Sequence, residues 1–421
     1  MSLLDKDNKN IWHPLTQYKI SQEHMVVSKT EGVYLYDDKD NRYIDGISSW
    51  YTAVYGHRNP QVIDFVKKGM DQMDQVVFTG FTHSPAVQLS EELMAITPSN
   101  LTKMFFSDNG STTVDIALKM SLQYWYNKGE KRHRIIAFEE AFHGDTFGAM
   151  AVSDLDVYNG PFQEFTLKVD RIPVPTTENL ADVLVLLEEL LEGDQAVCFI
   201  YEPLVQGAAA MKVHEAEHLD LLLKKVQKHG VLCIADEVMT GFGKTGRYFA
   251  SDWMEHKPDL MCLSKALTCG LVPMGLTLAS EKVYDAFYDQ ELIKGFFHGH
   301  TYSANPVACN AAIAGVRLLK SKEIQSGISF IHTEHLKFIE EISSDPLVSN
   351  PRVIGVICAF DLNLKLDRYG EKRNEIYKFF MDNGVYLRPL GSTVYMLPPY
   401  VISKDELHRI YASIKGLLKS L

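Results

Sequence analysis

No stretch of the sequence runs eighteen apolar residues without a charge, so a membrane-spanning helix is not expected. The opening, Met1-Ser2-Leu3-Leu4-Asp5-Lys6-Asp7, turns polar within a few residues and lacks the apolar centre of a signal peptide. A cytoplasmic protein is the expectation. Basic residues are outnumbered, with 42 Lys and Arg against 54 Asp and Glu, for a net charge of -12. Nucleic acid is not an expected partner at that balance, because a phosphate backbone calls for clustered Lys and Arg. Small substrates stay open, since the charge inside a cleft can oppose that of the whole chain. Cysteine is sparse: Cys198, Cys233, Cys262, Cys269, Cys309 and Cys358 form no C-x-x-C pair, and several lie inside apolar runs. They read as small buried hydrophobes in a reducing compartment. No metal site is expected, because His298 and His300 flank Gly299 without a further ligand nearby in sequence. Internal repeats and low-complexity segments are missing too. No Gly-Lys-Ser/Thr follows Gly110 at the spacing of a nucleotide-binding P-loop.

The 421 residues are 46% hydrophobic and 23% charged, ordinary for a globular protein and enough for a large domain with a smaller partner. The middle of the chain alternates helical patterns with short apolar runs. Val114, Leu118, Leu122 and Trp125 recur at helical spacing after Gly110, and helices are expected over Leu180 to Leu191 and from about His218 to Lys228. Between them lie Arg134 to Phe138, Ala196 to Tyr201, Val231 to Ala235 and Leu260 to Leu263, which are continuously apolar rather than alternating. Strands covered by helices on both faces read that way. The expected fold is therefore α/β, with a large domain over 51–324 built on a mostly parallel, doubly wound sheet. The two ends differ. A hairpin with a polar turn is expected within 26–44. From about 325 the pattern reads as a helix (Ile331 to Ile342), strands (Val353 to Phe360, Val385 to Pro389, Thr393 to Leu397) and a helix from Asp405. Residues 1–50 and 325–421 are expected to form one smaller α+β domain.

Three buried strands end in groups that are costly to bury alone: Glu202 after the 196–201 run, Asp236 after the 231–235 run, and Lys265 after the 260–263 run. Ligands of an open parallel sheet bind beyond the carboxyl ends of its strands, so the three are expected in one crevice. Pyridoxal phosphate would meet their demands. Its protonated pyridine nitrogen wants a carboxylate, as Asp236 offers, and its aldehyde wants an amine, as Lys265 offers. Its phosphate wants backbone N–H groups at a helix N-terminus, and Asp108-Asn109-Gly110-Ser111-Thr112 opens a helix where glycine allows close approach.

Ile234-Ala-Asp-Glu-Val-Met-Thr-Gly-Phe-Gly-Lys-Thr-Gly-Arg247, followed by Pro258-Asp-Leu-Met-Cys-Leu-Ser-Lys-Ala-Leu-Thr-Cys-Gly270, resembles the cofactor-lysine signature of the class III aminotransferases. Trp12-His-Pro-Leu-Thr-Gln17, Asp45-Gly-Ile-Ser-Ser-Trp50, Phe142-His-Gly-Asp-Thr-Phe-Gly-Ala-Met150, His298-Gly-His-Thr301, Leu387-Arg-Pro-Leu-Gly391 and Tyr395-Met-Leu-Pro-Pro-Tyr400 resemble the branch of that family serving biotin synthesis. The resemblance runs from about residue 10 to 415. It implies a fold-type I pyridoxal-phosphate transferase that aminates 8-amino-7-oxononanoate to 7,8-diaminononanoate as a homodimer with its active sites at the interface.

The resemblance also implies roles. Lys265 carries the cofactor and moves the proton, and Asp236 pairs with the pyridine nitrogen. Asn109, Gly110 and Ser111 hold the phosphate, Thr301 reaches it from the partner subunit, and Phe142 stacks on the ring. Trp50, Gly299, Arg388 and Tyr395 line the substrate site, with Arg388 gripping a carboxylate. Glu202 lies near the cofactor. Three positions depart from the family pattern, each expected to touch substrate or its surroundings: Leu15 replaces an aromatic, Phe142 a tyrosine and Lys244 an arginine. S-adenosylmethionine is the expected amino donor. Those three residues leave lysine open as the donor, and another class III activity on an ω-amino acid or diamine is the alternative.

Overall fold

The structure is a computed structural model describing residues 1–21, 23–155, 160–165, 167–193, 195–368 and 370–421. Near the start, strands β1 (Val27–Glu31), β2 (Tyr34–Asp37) and β3 (Arg42–Asp45) form an antiparallel meander. The polar turn expected within 26–44 joins β2 to β3, and β1 adds a strand that the sequence reading did not separate. Asp37 fixes that turn by accepting the N–H groups of Lys39 and Asn41.

The middle of the chain supplies β4 (Leu101–Ser107), β5 (Arg134–Phe138), β6 (Val169–Ile172), β7 (Ala196–Tyr201), the short pair β8 (Val205–Gln206) and β9 (Lys212–Val213), then β10 (Leu232–Asp236), β11 (Leu260–Leu263) and β12 (Gly275–Ser280). All but β8 and β9 make one seven-stranded sheet in the order β4-β12-β11-β10-β7-β5-β6. The pairs from β11 through β6 are parallel, and β12 runs antiparallel to both neighbours. The expected α/β sheet, mostly parallel, is what the chain forms. Every residue of β7 is buried, and its alternate side chains serve two cores: Phe199 and Tyr201 one, Cys198 and Ile200 the other. Burial on both faces leaves no polar alternation, which is why these strands read as continuous apolar runs.

Helix Gly110–Asn127 covers one face, its Trp125 indole donating to the Val197 carbonyl at 2.8 Å. Helices Leu180–Leu191 and Ala216–Lys228 bury their apolar stripes against the other. All six cysteines are buried and unpaired, as expected.

Toward the C-terminus come helix Lys322–Ile342, strands β13 (Val348–Ile354) and β14 (Ile357–Leu362), helix Glu371–Asp382, β15 (Val385–Tyr386), β16 (Thr393–Met396) and helix Lys404–Ser420. The expected single strand over Val353 to Phe360 is a hairpin instead. Gly355 turns the chain at φ 54°, and a Cβ there would fall 2.3 Å from the Lys244 carbonyl oxygen, so only glycine fits. β15 pairs in parallel with β3, so one four-stranded sheet joins the two ends of the chain. Among the described residues no helix is long and apolar enough to cross a membrane.

Candidate active site

A cavity of about 320 Å3 opens beyond the carboxyl ends of the parallel strands. β7, β10 and β11 deliver Glu202, Asp236 and Lys265 to its inner end, as expected of successive strands in one parallel sheet. Lys265 begins a single 3-10 turn and sits at φ 48°, a left-handed conformation that a lysine rarely adopts. Its amine lies 5.1 Å from the centre of the Tyr51 ring. Burial lowers the pKa of this amine, while Asp236 and Glu202 partly hold it up. A lowered pKa enlarges the fraction present as neutral, nucleophilic amine.

Asp236 is buried and satisfied on both oxygens: Oδ1 accepts the Val238 N–H at 3.0 Å, and Oδ2 lies 2.7 Å from His143 Nδ1. With Nδ1 donating to the carboxylate, Nε2 of this buried imidazole has no partner. His143 was not singled out from the sequence, although it sits inside the quoted Phe142-His-Gly-Asp segment. Its contact with Asp236 spans 93 positions, and local pattern carries no trace of it.

Glu202 accepts the N–H groups of Phe142 at 3.0 Å and Gly207 at 2.9 Å. Burial still pushes its carboxyl up to about 7, with the His143 side chain opposing and Asp236 adding to the shift. A folded-state value above the ordinary 4.5 means that the carboxyl costs stability as pH rises from about 4.5 and imposes its full cost above about 7. Carbon-13 NMR of glutamate-labelled protein should show one carboxyl titrating near 7, absent from the Glu202→Asp spectrum. A spectrum in which Glu202→Asp removes no signal titrating near 7 would contradict the burial argument.

The helix Gly110–Asn127 points its N-terminus into the cavity. Asn109 caps it by accepting the Thr112 N–H at 2.9 Å, and the N–H groups of Gly110 and Ser111 keep the free orientation of a first helical turn. A Cβ on Gly110 would stand 2.8 Å from Val238 Cγ1, so glycine lets this turn close on the wall beside Asp236. Phe142 and Val238 both line the cavity.

Arg388, Arg373, Arg368, Trp50, Tyr395 and Leu15 also line the cavity. Arg388 places its guanidinium 5.4 Å from the Trp50 ring centre. Arg373 is tied to the Pro389 carbonyl and the Asn374 side chain, which marks it as a support for the Arg388 segment. Tyr395 is buried, its hydroxyl accepts from that of Tyr51 at 3.0 Å, and burial pushes its pKa up to about 12. Trp50 reaches the cavity on an unusual backbone. Ser48, Ser49, Trp50 and Tyr51 all have φ between 45° and 72°, and the Tyr51 and Thr52 N–H groups donate to the Ile47 and Ser48 carbonyls, closing a left-handed helical turn. At ~1–2 kcal/mol per residue, four such residues cost about 4–8 kcal/mol, which the surrounding structure must offset.

Not every expected site residue is brought in. Gly299 and Thr301 are exposed and do not line this chain's cavity; the Thr301 carbonyl accepts from Gln75 Nε2 at 2.8 Å. Lys244, expected near substrate, is fully buried behind the wall and donates to the Gly241 carbonyl at 2.9 Å. Burial drives its pKa well below the ordinary lysine value, with Lys265 adding to the shift. Tyr51, Asp145, Arg368 and Arg373 line the cavity without having been singled out. Away from it, His13 Nε2 lies 2.8 Å from Asp7 Oδ2, with His24 Nδ1 at 3.7 Å from the same oxygen.

The family model described as aminotransferase class-III matches residues 17–418. A relative from Synechococcus elongatus named adenosylmethionine-8-amino-7-oxononanoate aminotransferase is 39% identical, over 98% of this chain and 99% of its own length. Among solved structures, adenosylmethionine-8-amino-7-oxononanoate aminotransferase from Methanocaldococcus jannaschii superposes with a TM-score of 0.94 at 30% identity, covering 99% of this chain and 98% of that one. An amine transaminase from an uncultivated Pseudomonas species, solved in a PLP-bound form, gives a TM-score of 0.90 at 27% identity, with 98% of each chain covered.

Proposed function

The chain belongs to the class III aminotransferases, and we propose that it aminates 8-amino-7-oxononanoate to 7,8-diaminononanoate with S-adenosylmethionine as amino donor and pyridoxal phosphate as cofactor. One observation carries this reading: a single cavity is lined by the Lys265 amine, whose pKa burial lowers, by the buried carboxyl groups of Asp236 and Glu202, and by the Arg388 guanidinium. An amine and a guanidinium in one cavity suit a substrate that carries both a reacting carbon and a carboxylate.

The residues fit the cofactor on the chemistry of the donor set. Asp236, buried and held by His143 and Val238, is a carboxylate placed to face a protonated ring nitrogen. Gly110 and Ser111 offer N–H groups to a phosphate, and Phe142 and Val238 offer apolar walls to a planar ring. When bound, the cofactor supplies an electron sink that makes the proton on the amine-bearing carbon removable. Lys265 is the group placed to take that proton and return it, as the amine that the strand end of β11 aims into the cavity. His143 fixes the Asp236 carboxylate, and Phe142 donates its N–H to Glu202, which ties the ring wall to a second strand end. Arg388 is placed to hold the substrate carboxylate against the Trp50 face.

Arg388→Ala should raise KM for the keto acid by about 10- to 100-fold, the loss of a charged hydrogen-bonding partner, with kcat moved far less. Arg388→Lys should recover part of that loss. Steady-state kinetics decide it, and an unchanged KM would remove Arg388 from the substrate site.

The homodimer belongs to this proposal. Tyr288, Leu292, Ile293 and Phe297 are 64–80% exposed, on the segment that carries Gly299 and Thr301. A second copy covering that segment would bring those two residues to a neighbouring cavity. The proposal also takes 1–50 with 325–421 as the small domain and 51–324 as the large one, supported by the sheet joining β3 to β15, and a cytoplasmic location. The test is direct. Purified protein with pyridoxal phosphate, S-adenosylmethionine and 8-amino-7-oxononanoate should yield 7,8-diaminononanoate by mass spectrometry. Turnover of pyruvate or 2-oxoglutarate with none of this product would overturn the substrate assignment.

A further inference from the structure

The Asp45-Gly-Ile-Ser-Ser-Trp50 segment has a buried carboxylate at one end and a cavity-lining indole at the other. We propose that Asp45 and His57 form a positioning clamp that holds the left-handed turn and so aims Trp50 and Tyr51 into the substrate cavity. The inference rests on reading that cavity as the aminotransferase site.

A run of left-handed residues containing no glycine persists only where neighbours over-determine it. Asp45 does this. Its carboxylate is fully buried, and Oδ2 accepts both the Ser49 hydroxyl at 2.7 Å and His57 Nε2 at 2.8 Å, while Oδ1 lies 3.4 Å from the Ile47 N–H. One side chain thus ties the residue before the turn, the second residue of the turn and the chain beyond it. His57 is itself fixed, because its backbone exchanges two hydrogen bonds with Gly32, at 2.7 Å and 3.1 Å. The remaining ties are local or backbone-directed: Ser48 Oγ donates to the Leu397 carbonyl and Thr52 Oγ1 to the Ser49 carbonyl.

Asp45, Ser49 and His57 do not line the cavity, so they act through what they hold. Trp50 stands against Arg388 at 5.4 Å, and Tyr51 puts its ring 5.1 Å from the Lys265 amine and its hydroxyl on Tyr395. The turn therefore spans the distance between the carboxylate-binding arginine and the reacting amine. A turn that relaxes toward right-handed backbone would withdraw both rings. Displacements of about 1 Å at such positions cost up to ~100-fold in rate or binding.

The test compares His57→Ala, His57→Gln and Ser49→Ala with the wild type, each loaded with cofactor. His57→Gln keeps an N–H donor for Asp45. Ser49→Ala keeps the Asp45–His57 pair and removes only the tie to the turn, so it serves if His57→Ala does not fold. The readouts are KM for 8-amino-7-oxononanoate, kcat, and the Kd of nonanoate by calorimetry, which needs no turnover. Expected are rises of about tenfold in KM and Kd for His57→Ala and Ser49→Ala, with the cofactor absorption band unchanged and most of the loss recovered in His57→Gln. KM and Kd within twofold of wild type in the alanine variants would overturn the clamp. So would an equal loss in His57→Gln. A wild type that binds nonanoate yet aminates no ketone would instead reject the functional reading, and the Kd comparison would still decide the clamp.

Discussion

Replacing Lys265 with alanine should lower kcat by about 10,000-fold, the upper end of what a positioned proton-transfer group contributes. Lys265 is the only lysine lining the cavity among the described residues, so no second amine there can take over its role. Its neighbours make it suited to the task. Burial favours the neutral amine, while Asp236 and Glu202 keep the protonated form within reach, so the group can both accept and release a proton. Its φ of 48° means that the chain stores strain to aim this side chain, and alanine in the same conformation keeps the strain without the amine. Lys265→Arg should be nearly as inactive, because a guanidinium stays charged and cannot serve as a base. The cofactor should still bind both variants, through Asp236 and the helix N-terminus. Borohydride should attach it covalently to the wild type at Lys265 and to neither variant. Activity above a tenth of wild type in Lys265→Ala would show that the proton moves elsewhere.

The second large effect is expected at Asp236. Asparagine keeps its size and can still accept the Val238 N–H at one oxygen, but it loses the charge that would face a protonated ring nitrogen. It also sets an amide donor against His143 Nδ1, and the imidazole must then move its proton to Nε2, which has no partner. A fall in kcat of about 100- to 1000-fold is expected, comparable to removing one preorganised electrostatic partner in a dry site. The sign of a second change follows. Lys265 loses one of the two carboxylates that hold its pKa up, so its amine should deprotonate at lower pH than in the wild type. The pH dependence of Lys265 acylation in the cofactor-free protein, followed by mass spectrometry, measures that displacement. A titration moved upward, or a kcat within threefold of wild type, would place Asp236 outside the reacting centre.

Much of the site was legible in the sequence because it follows from the sheet. β5, β7, β10 and β11 are central, so both faces are buried and their apolar runs are unbroken. The residues at the carboxyl ends of β7, β10 and β11, Glu202, Asp236 and Lys265, are therefore assignable to one crevice from the sequence. The strands that were missed sit where that logic weakens. β4 is an edge strand whose Thr102 faces solvent, β6 is a four-residue edge strand containing Asp170 and Arg171, and β12 begins with glycine and runs against its neighbours. The run from Val353 to Phe360 failed in the opposite way. Its apolar continuity hid a turn, because the only signal was Gly355. Three features of the site had no local signature. His143 meets Asp236 across the fold, Lys244 turns inward onto a carbonyl rather than toward the cavity, and the left-handed turn at 48–51 contains none of the glycines that usually announce one. Each is set by a tertiary partner, Asp45 in the last case, and a pattern read along the chain does not contain such partners.

The reaction can be examined one half at a time. Cofactor-loaded protein, mixed in a stopped-flow spectrometer with S-adenosylmethionine and no acceptor, should lose its visible absorption band in a single turnover. Adding 8-amino-7-oxononanoate should restore that band while 7,8-diaminononanoate appears in equal amount. A band that S-adenosylmethionine leaves unchanged, or one that the keto acid fails to restore, would contradict the assignment of Lys265 and its cavity to this amino transfer.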